Sequence, residues 1–155
     1  MKDEIKLIAD NKKARFDFSL EESFEAGIKL TGSEVKSLRA GQVNLKDSYI
    51  AFQGDEAFLQ NAHISEYRAS SYNNHVPERL RKLLLSRAEI DKIKRAVLEK
   101  GYSCVPTKIY LKKGWIKLEI SLGIGRKKGD KRDLLKERSV KKELQNKMRK
   151  DRRAP

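Results

Sequence analysis

The sequence predicts a mainly β fold in which short antiparallel strands alternate with two helices and are followed by a basic tail. Three observations support this prediction. Apolar and polar residues alternate over several short segments, which is typical of strands with one buried face. Two other segments carry the start and stop signals of helices. Residues 126–155 contain no aromatic residue and much of the excess positive charge, so they differ in kind from the preceding chain.

The N-terminal part of the chain predicts a strand that bends. Residues 1–10 show no clear pattern, so we expect a loose lead-in there, and residues 11–15 (NKKAR) form a basic segment. Apolar residues then alternate with polar ones over residues 16–20, and again over residues 24–30 after a polar break. This period of two predicts a bent or bulged pair of strands.

The next segment, TGSEVKSLRAG, predicts a short helix. Thr31 can cap its N-terminus, Glu34 can return a hydrogen bond to the capping residue, and Gly41 can end it. Lys36 and Arg39 lie three residues apart and therefore project from one side, where they could hold a phosphate. Two cations on a helix are more often an ordinary solvated face, and this interpretation stays open beside the functional one.

A hairpin and a second helix follow. The segments SYIAFQ and EAFLQNAHI flank Gly54 and Asp55, a pair typical of hairpin turns. Residues 65–80 lack periodicity and predict a loop, which ends in a short buried strand, RKLLL. Ser86 and Glu89 then form a second capping box, which predicts the start of a helix, and Gly101 predicts its end.

The last strands form another predicted hairpin, YSCVPTKIYL and WIKLEISLGI, in which Pro106 indicates an edge or a bulge. Many short antiparallel strands with two inserted helices favour a small closed or nearly closed barrel of the oligonucleotide-binding (OB) type over residues 1–125. A two-sheet sandwich is the alternative.

Charge favours a polyanionic partner. The formal net charge is +14, and residues 126–155 contribute +9 of it. Such a charge favours nucleic acid over a neutral small molecule. The chain has no apolar run of eighteen residues and no signal or lipidation motif, so we expect a cytoplasmic protein without a membrane partner. With one cysteine, Cys104, and two histidines, neither a disulfide nor a zinc knuckle is predicted.

The tail, residues 126–155, has helix-forming but not core-forming composition. Glu137 with Lys141, and Glu143 with Lys147, are favourable four-residue pairs, but each contributes only about 0.2–0.5 kcal/mol. We expect a tail that is disordered alone and helical when bound to RNA. A tail that only solvates the protein is the alternative.

Catalytic motifs are not found in the sequence, so we expect a binding protein and not an enzyme, with no cofactor, metal or small-molecule substrate. Tyr49, Tyr67, Tyr72 and Trp115 are scattered, so a platform for stacking successive bases is not predicted. Basic loops and a basic tail better suit a folded RNA recognised by its shape and phosphate positions.

Several ordered motifs carry a resemblance to a known family. The segments FEAGIKLTGSEVKSLRAGQVNLKDSY, FLQNAHI, RKLLL, EKGYSCVP and GDKRDLLKER, which lie along nearly the whole chain from Ile8, resemble the SsrA-binding protein (small protein B, SmpB) family. The resemblance implies an OB-type barrel that binds the tRNA-like domain of transfer-messenger RNA. It also implies that the protein supports aminoacylation of that RNA and its delivery to stalled ribosomes.

The same resemblance implies two sets of contact residues. The RNA-binding set comprises Asn11, Lys12, Lys13, Arg15, Glu25, Lys36 and Arg39. The set implied for the empty decoding site and mRNA channel, with its small-subunit rRNA, comprises Lys127, Lys128, Asp130, Lys131, Arg132, Lys136 and Arg138. Glu25 cannot hold a phosphate, so if it contacts RNA we expect it to accept hydrogen bonds from base amino groups or a 2′-OH, or to orient a neighbouring cation. The Gly/Lys run before Asp130 is shorter than in the family, and Gly129 stands where an aromatic or histidine is common.

Two other functions are compatible with the composition alone. A general RNA-chaperone barrel would bind any folded RNA with similar affinity at fixed salt. A nuclease that used clustered carboxylates would cleave RNA in the presence of magnesium. The resemblance along the whole chain favours the dedicated RNA partner over both.

Overall fold

The computed structural model describes residues 4–67 and 74–153 and divides the chain into two compact units, residues 1–125 and 126–155. Part of the predicted loop over residues 65–80, with Tyr72, lies outside the described residues. In chain order the elements are β1 (Ile5–Asp10), α1 (Lys12–Asp17), β2 (Phe18–Ile28), α2 (Gly32–Arg39), β3 (Val43–Asn44), β4 (Tyr49–Gln53), β5 (Glu56–Gln60), β6 (His63–Ile64), β7 (Arg81–Leu84), α3 (Arg87–Glu99), β8 (Ser103–Lys112), β9 (Trp115–Gly125) and α4 (Lys128–Arg153).

The first unit is built on one antiparallel sheet with the strand order β1-β8-β9-β2-β7-β5-β4, and β3 pairs with β6 in a separate ribbon. The prediction of a mainly β, antiparallel fold with helices is therefore confirmed. Among the described residues, strand pairing ends at β1 on one side and at β4 on the other. The ladder does not close on itself, so of the predicted closed or nearly closed barrel the closed form is not observed.

The core lies on one face of this sheet. Leu118 and Ile120 of β9 pair with Ala26 and Phe24 of β2, and three of these four side chains are fully buried. Helix α3 adds Ile93, which is also fully buried in the same cluster. Removal of this apolar surface from water, at about 25 cal/mol per Å², is the main source of stability. The opposite face of these two strands is not part of this core.

Both predicted helices are present and capped as expected. In α2, Thr31 accepts a hydrogen bond from the N–H of Glu34, whose carboxylate accepts one from the N–H of Thr31. In α3, Ser86 and Glu89 make the same exchange. The glycines that follow these helices have φ of 75° and 71°, a conformation that glycine adopts without strain. The local start and stop signals therefore predicted these helices correctly.

Both predicted hairpins are also present. Strands β4 and β5 pair around a turn in which Gly54 has φ of 60°, and β8 and β9 pair around Lys113 and Gly114, with φ of 52° and 79°. The register of β8 shifts between Pro106 and Lys108. Since β8 lies between β1 and β9, Pro106 marks a bulge and not an edge.

Three predictions for the N-terminal region are wrong. Residues Ile5–Asp10 are not a loose lead-in, because they pair with β8, about a hundred positions away in the chain. Phe16 lies in α1 and not in a strand, because Asn11 caps that helix. The polar break near Glu22 does not separate two strands; it is a bulge within the single strand β2. The first and third errors concern strand pairing with a partner far away in the chain.

The second unit consists of α4, which the structure shows as one helix over Lys128–Arg153. The carboxylate of Asp130 accepts a hydrogen bond from the N–H of Lys127 at 3.4 Å, and the N–H of Lys131 donates to the carbonyl of Lys127 at 3.1 Å. An acidic residue in the first turn also complements the helix dipole. Folding of this tail upon binding stays a prediction.

Candidate nucleic-acid interface

Asn11 is buried, and its hydrogen bonds link three segments of the chain. Its Oδ1 accepts a hydrogen bond from the N–H of Ala14 at 3.2 Å and thereby starts α1. Its Nδ2 donates to the carbonyl of Leu45 at 3.2 Å and to that of Pro106 at 2.8 Å. Because the residue is 4% exposed, the structure gives Asn11 the role of positioning α1. Direct RNA contact by Asn11 stays a prediction.

The three basic residues of this segment, Lys12, Lys13 and Arg15, lie on α1 and are exposed or partly exposed. Lys12 is exposed, and Lys13 forms an ion pair with Asp47 at 2.5 Å. This pair raises the pKa of Lys13 and lowers that of Asp47, in each case chiefly through their hydrogen bond. Arg15 pairs with Asp10 at 2.9 Å. Ion pairs at the surface are weak because water and salt screen them, so these cations can exchange their partners for phosphates.

Helix α2 presents its two cations to solvent, as the spacing predicts. Lys36 and Arg39 are both exposed in the last turn of the helix. The Lys36 ammonium lies 5.6 Å from the centre of the Tyr67 ring, a cation–π contact that limits its freedom. Tyr67 was one of the scattered aromatics of the sequence, and nothing local to it indicated this partner.

A buried ion network holds α2 on the sheet. Glu34, fully buried, contacts Arg81, which is also fully buried, and Arg79, whose Nη2 lies at 2.5 Å. Arg81 also donates to the carbonyls of Ala62 and Pro77. Burial of Glu34 opposes its ionisation, but hydrogen bonds from Arg79, the Thr31 N–H and Arg81 outweigh burial and lower its pKa to about 2.

His75 extends this buried support. Its Nδ1 lies 2.9 Å from the hydroxyl of Ser33, at the start of α2, and its Nε2 lies 2.8 Å from the carbonyl of Ile64. The hydroxyl of Ser37 donates to the carbonyl of Ser65 at 2.7 Å. These bonds fix the inner side of α2 and leave its cationic side outward.

Glu25 lies on the outer face of β2 and is held by two donors from β8. The Tyr110 hydroxyl donates to its Oε2 at 2.5 Å, and Nζ of Lys112 lies 3.2 Å from the same oxygen. The hydrogen bond from Tyr110 lowers the pKa of Glu25, against burial and with help from Lys112. Oε1 is farther from Lys112, at 3.5 Å, and 39% of the side chain is exposed. Glu25 is therefore ionised and can accept further hydrogen bonds.

Strand register connects Glu25 to α1. Asp10, Lys108, Glu119 and Glu25 are successive partners across β1, β8, β9 and β2, so they share one row on the sheet. Arg15 is paired with Asp10 at one end of this row. Three strand spacings separate the ends, a distance of about 14 Å. The structure thus brings α1 and Glu25 to one sheet face.

The residues predicted for the decoding-site set lie in α4 or directly before it. Most are exposed, and Lys131 is partly buried; the side chain of Lys128 lies outside the described part of the chain. The exposed members are Lys127, Asp130, Arg132, Lys136 and Arg138.

The sequence missed the residues that hold the predicted ones in place. They are Asp47 on Lys13, Tyr110 and Lys112 on Glu25, and Arg79 and Arg81 on Glu34. Each lies at least 34 positions from its partner, so no local pattern could indicate it. Cys104 is buried, and burial raises the pKa of its thiol to about 12. No helix in the described residues is apolar and long enough to cross a membrane.

Exposed cations on two well-anchored helices, followed by a strongly basic tail, define the class of proteins that bind polyanions by surface contact. Comparisons with known proteins then give the family. A model of the SmpB protein family matches residues 8–150. The chain is 59% identical over 152 residues to the SsrA-binding protein of Bdellovibrio bacteriovorus, which covers 98% of this chain and 100% of that protein.

More distant relatives agree. The SsrA-binding protein of Trichormus variabilis is 52% identical over 145 residues, 93% of this chain and 94% of that protein. A solved structure described as "tmRNA-SmpB: a journey to the center of the bacterial ribosome" has a TM-score of 0.66 and 39% identity, and the match covers 82% of this chain and 93% of that one. The chain belongs to the SmpB family.

Proposed function

We propose that this protein binds the tRNA-like domain of transfer-messenger RNA, supports its aminoacylation, and accompanies it to stalled ribosomes in trans-translation. The observation that carries the proposal is the family match along residues 8–150, since relatives are named SsrA-binding proteins and a similar structure is a tmRNA-SmpB complex at the ribosome. We propose accordingly that it is a cytoplasmic RNA-binding protein and not an enzyme.

We infer that the sheet of the first unit is a partly open barrel of the OB type. Its edge strand β4 comes within 8 Å of β8, which is the second strand from the opposite edge, so the sheet bends strongly. OB-type barrels bind nucleic acid on their outer strand face and connecting loops. Glu25 and α1 occupy such positions.

The grip on the RNA is divided between charge and hydrogen bonding. Lys12, Lys13 and Arg15 on α1, with Lys36 and Arg39 on α2, supply cations for phosphates. Glu25, held by Tyr110, supplies an ionised acceptor for base amino groups or a 2′-OH. Phosphate contacts give affinity and register, whereas an acceptor at a fixed position can discriminate between RNAs.

The tail is proposed to act at the ribosome. Residues 126–155 carry fourteen Lys/Arg and five Asp/Glu, and twelve of these cations lie within the single helix α4, where they can follow a phosphate backbone. In the empty decoding site and mRNA channel, Lys127, Lys128, Asp130, Lys131 and Arg132 would meet small-subunit rRNA first, followed by Lys136 and Arg138. Neutralisation by RNA would stabilise the helix.

The test is the salt dependence of binding to the isolated tRNA-like domain. Each neutralised phosphate contributes about −0.7 to −0.9 to the slope of log K against log salt. Replacing Lys36 and Arg39 by Ala should therefore reduce the slope by about 1.4–1.8. Lys92 and Arg95 provide a matched control, since they are an exposed Lys/Arg pair with the same spacing on α3.

The control pair should leave the slope nearly unchanged. Equal slopes for both double variants would show that α2 does not grip the RNA. Equal affinity for an unrelated folded RNA would favour the general RNA-chaperone function, and magnesium-dependent cleavage would favour the nuclease.

A further inference from the structure

A patch of exposed apolar side chains bordered by lysines lies on the outer face of the sheet, beyond Glu25. Ile5, Lys112 and Trp115 are successive partners across β1, β8 and β9, so they share one row. Leu7, Tyr110 and Lys117 form the next row on the same face. Trp115 is 73% exposed, Ile5 59% and Leu7 54%, although each belongs to a paired strand. Large apolar side chains grouped in this way mark an interaction site.

The chemistry of the patch suits RNA. Lys112, Lys113 and Lys117 surround the indole in sequence and register. The carboxylates of Asp10, Glu119 and Glu25 on this face lie in the row beyond Lys117, and Glu25 is paired with Lys112. An aromatic ring bordered by cations is the arrangement that stacks a base and neutralises its phosphate. A site for an apolar protein segment would instead be depleted of charge near its centre.

We propose that Trp115 stacks on an unpaired base of the same transfer-messenger RNA that α1, α2 and Glu25 grip. This inference rests on the proposed function. Its geometric basis is the link through Lys112, which lies opposite Trp115 in register and also forms the ion pair with Glu25. Four residues along β9 separate Trp115 from the partner of Glu25, a distance of about 14 Å. One RNA segment can therefore reach both positions.

The face thus has two different contacts. Glu25 is fixed by Tyr110 and can accept hydrogen bonds, whereas Trp115 offers a flat apolar ring with no base preference. One ring can hold one base, so the arrangement agrees with the lack of a continuous aromatic platform in the sequence. Its contribution is an anchor near the β8–β9 turn.

Intrinsic fluorescence tests the proposal directly, because Trp115 is the only tryptophan in the chain. The intact protein is titrated with the tRNA-like domain while indole emission and its quenching by acrylamide are recorded. Stacking should give a saturable fall in emission and protect the indole from acrylamide. Filter binding on the same samples gives the affinity.

Variants test whether the contact contributes binding energy. Trp115→Ala should weaken binding about 5- to 150-fold, the range for loss of one stacked base. Trp115→Phe keeps an aromatic face and should bind within about threefold of the parent, a smaller loss than the lower end of that range. Leu98→Ala is the matched control, since Leu98 is 72% exposed on α3. It should bind as the parent does.

Other results would overturn the inference. If the parent binds the RNA but its emission and acrylamide access do not change, and Trp115→Ala binds normally, the stacking role is wrong while the proposed function stands. Protection seen only with ribosomes or with a protein partner would also reject this RNA as the occupant. Failure of the parent protein to bind the RNA would remove the proposed function and this inference together.

Discussion

Replacing Glu34 by Gln should destabilise the protein far more than replacing Glu89, the equivalent residue in the capping box of α3. Glu34 and Arg81 are both fully buried, and Arg79 contacts the same carboxylate. Gln preserves the size of the side chain and one acceptor oxygen, so the helix can still be capped. What it removes is the negative charge that compensates two guanidinium groups, one of them without access to water.

The expected cost follows from two independent arguments. The pKa of Glu34 is about 2, roughly 2.5 units below its ordinary value, which corresponds to about 3 kcal/mol of folding free energy at neutral pH. Removing one partner of a buried ion pair typically costs about 3–5 kcal/mol. We therefore expect a loss of about 3 kcal/mol, a large fraction of the stability of such a domain.

Urea unfolding followed by circular dichroism measures this loss. Glu89→Gln is the control, since Glu89 occupies the same position in the capping box of α3, where Ser86 is its capping partner. That change should cost well under about 1 kcal/mol, as for an exposed cap. Equal losses for the two variants would refute the argument that the buried charge network stabilises α2.

The pH dependence supplies a second check. Because the pKa of Glu34 is depressed by folding, its contribution is fully present above the ordinary pKa near 4.5 and is lost as pH falls through about 2. The stability difference between the parent and Glu34→Gln should therefore shrink between pH 5 and pH 2. A constant difference over that interval would contradict the assignment.

Three further outcomes are expected. Tyr110→Phe should raise the pKa of Glu25, measured by NMR titration, and reduce discrimination between transfer-messenger RNA and unrelated RNA. An unchanged pKa would contradict the role given to the hydroxyl. Asn11→Asp keeps the cap acceptor but loses both amide donations, so the free energy of unfolding should fall by at least about 2 kcal/mol. An unchanged free energy would contradict the linking role of Asn11. A chain ending at Gly129 should keep its thermal transition and bind the tRNA-like domain within a few-fold, yet fail to tag peptides on stalled ribosomes, and retained tagging would contradict the tail's role.

Sequence predicted best the structures whose signals lie within a few residues of one another. The capping boxes of α2 and α3 each depend on two residues three positions apart, and the β4–β5 hairpin depends on its own turn. The outward position of Lys36 and Arg39 follows from the same local geometry. These features need no knowledge of the rest of the chain.

What the sequence could not predict depends on distant partners. Strand β1 forms because β8 offers an edge to it, and its own residues show only a weak alternation. Glu34 was recognised as a cap, but its second role requires Arg79 and Arg81, which are 45 and 47 positions away. Closure of the sheet was likewise not deducible, since it depends on how strongly the strands bend.

The hydrogen bonds of Asn11 affect the order in which the protein can fold during synthesis. Its Nδ2 donates to the carbonyl of Pro106, 95 positions later in the chain. At about 5–20 residues per second, roughly 5–20 s of synthesis separate the two residues. During that interval a nascent chain contains the sequence of α1 but lacks the Pro106 carbonyl that helps to orient it. The hydrogen bonds that position α1 are therefore completed only after translation has passed Pro106 in β8.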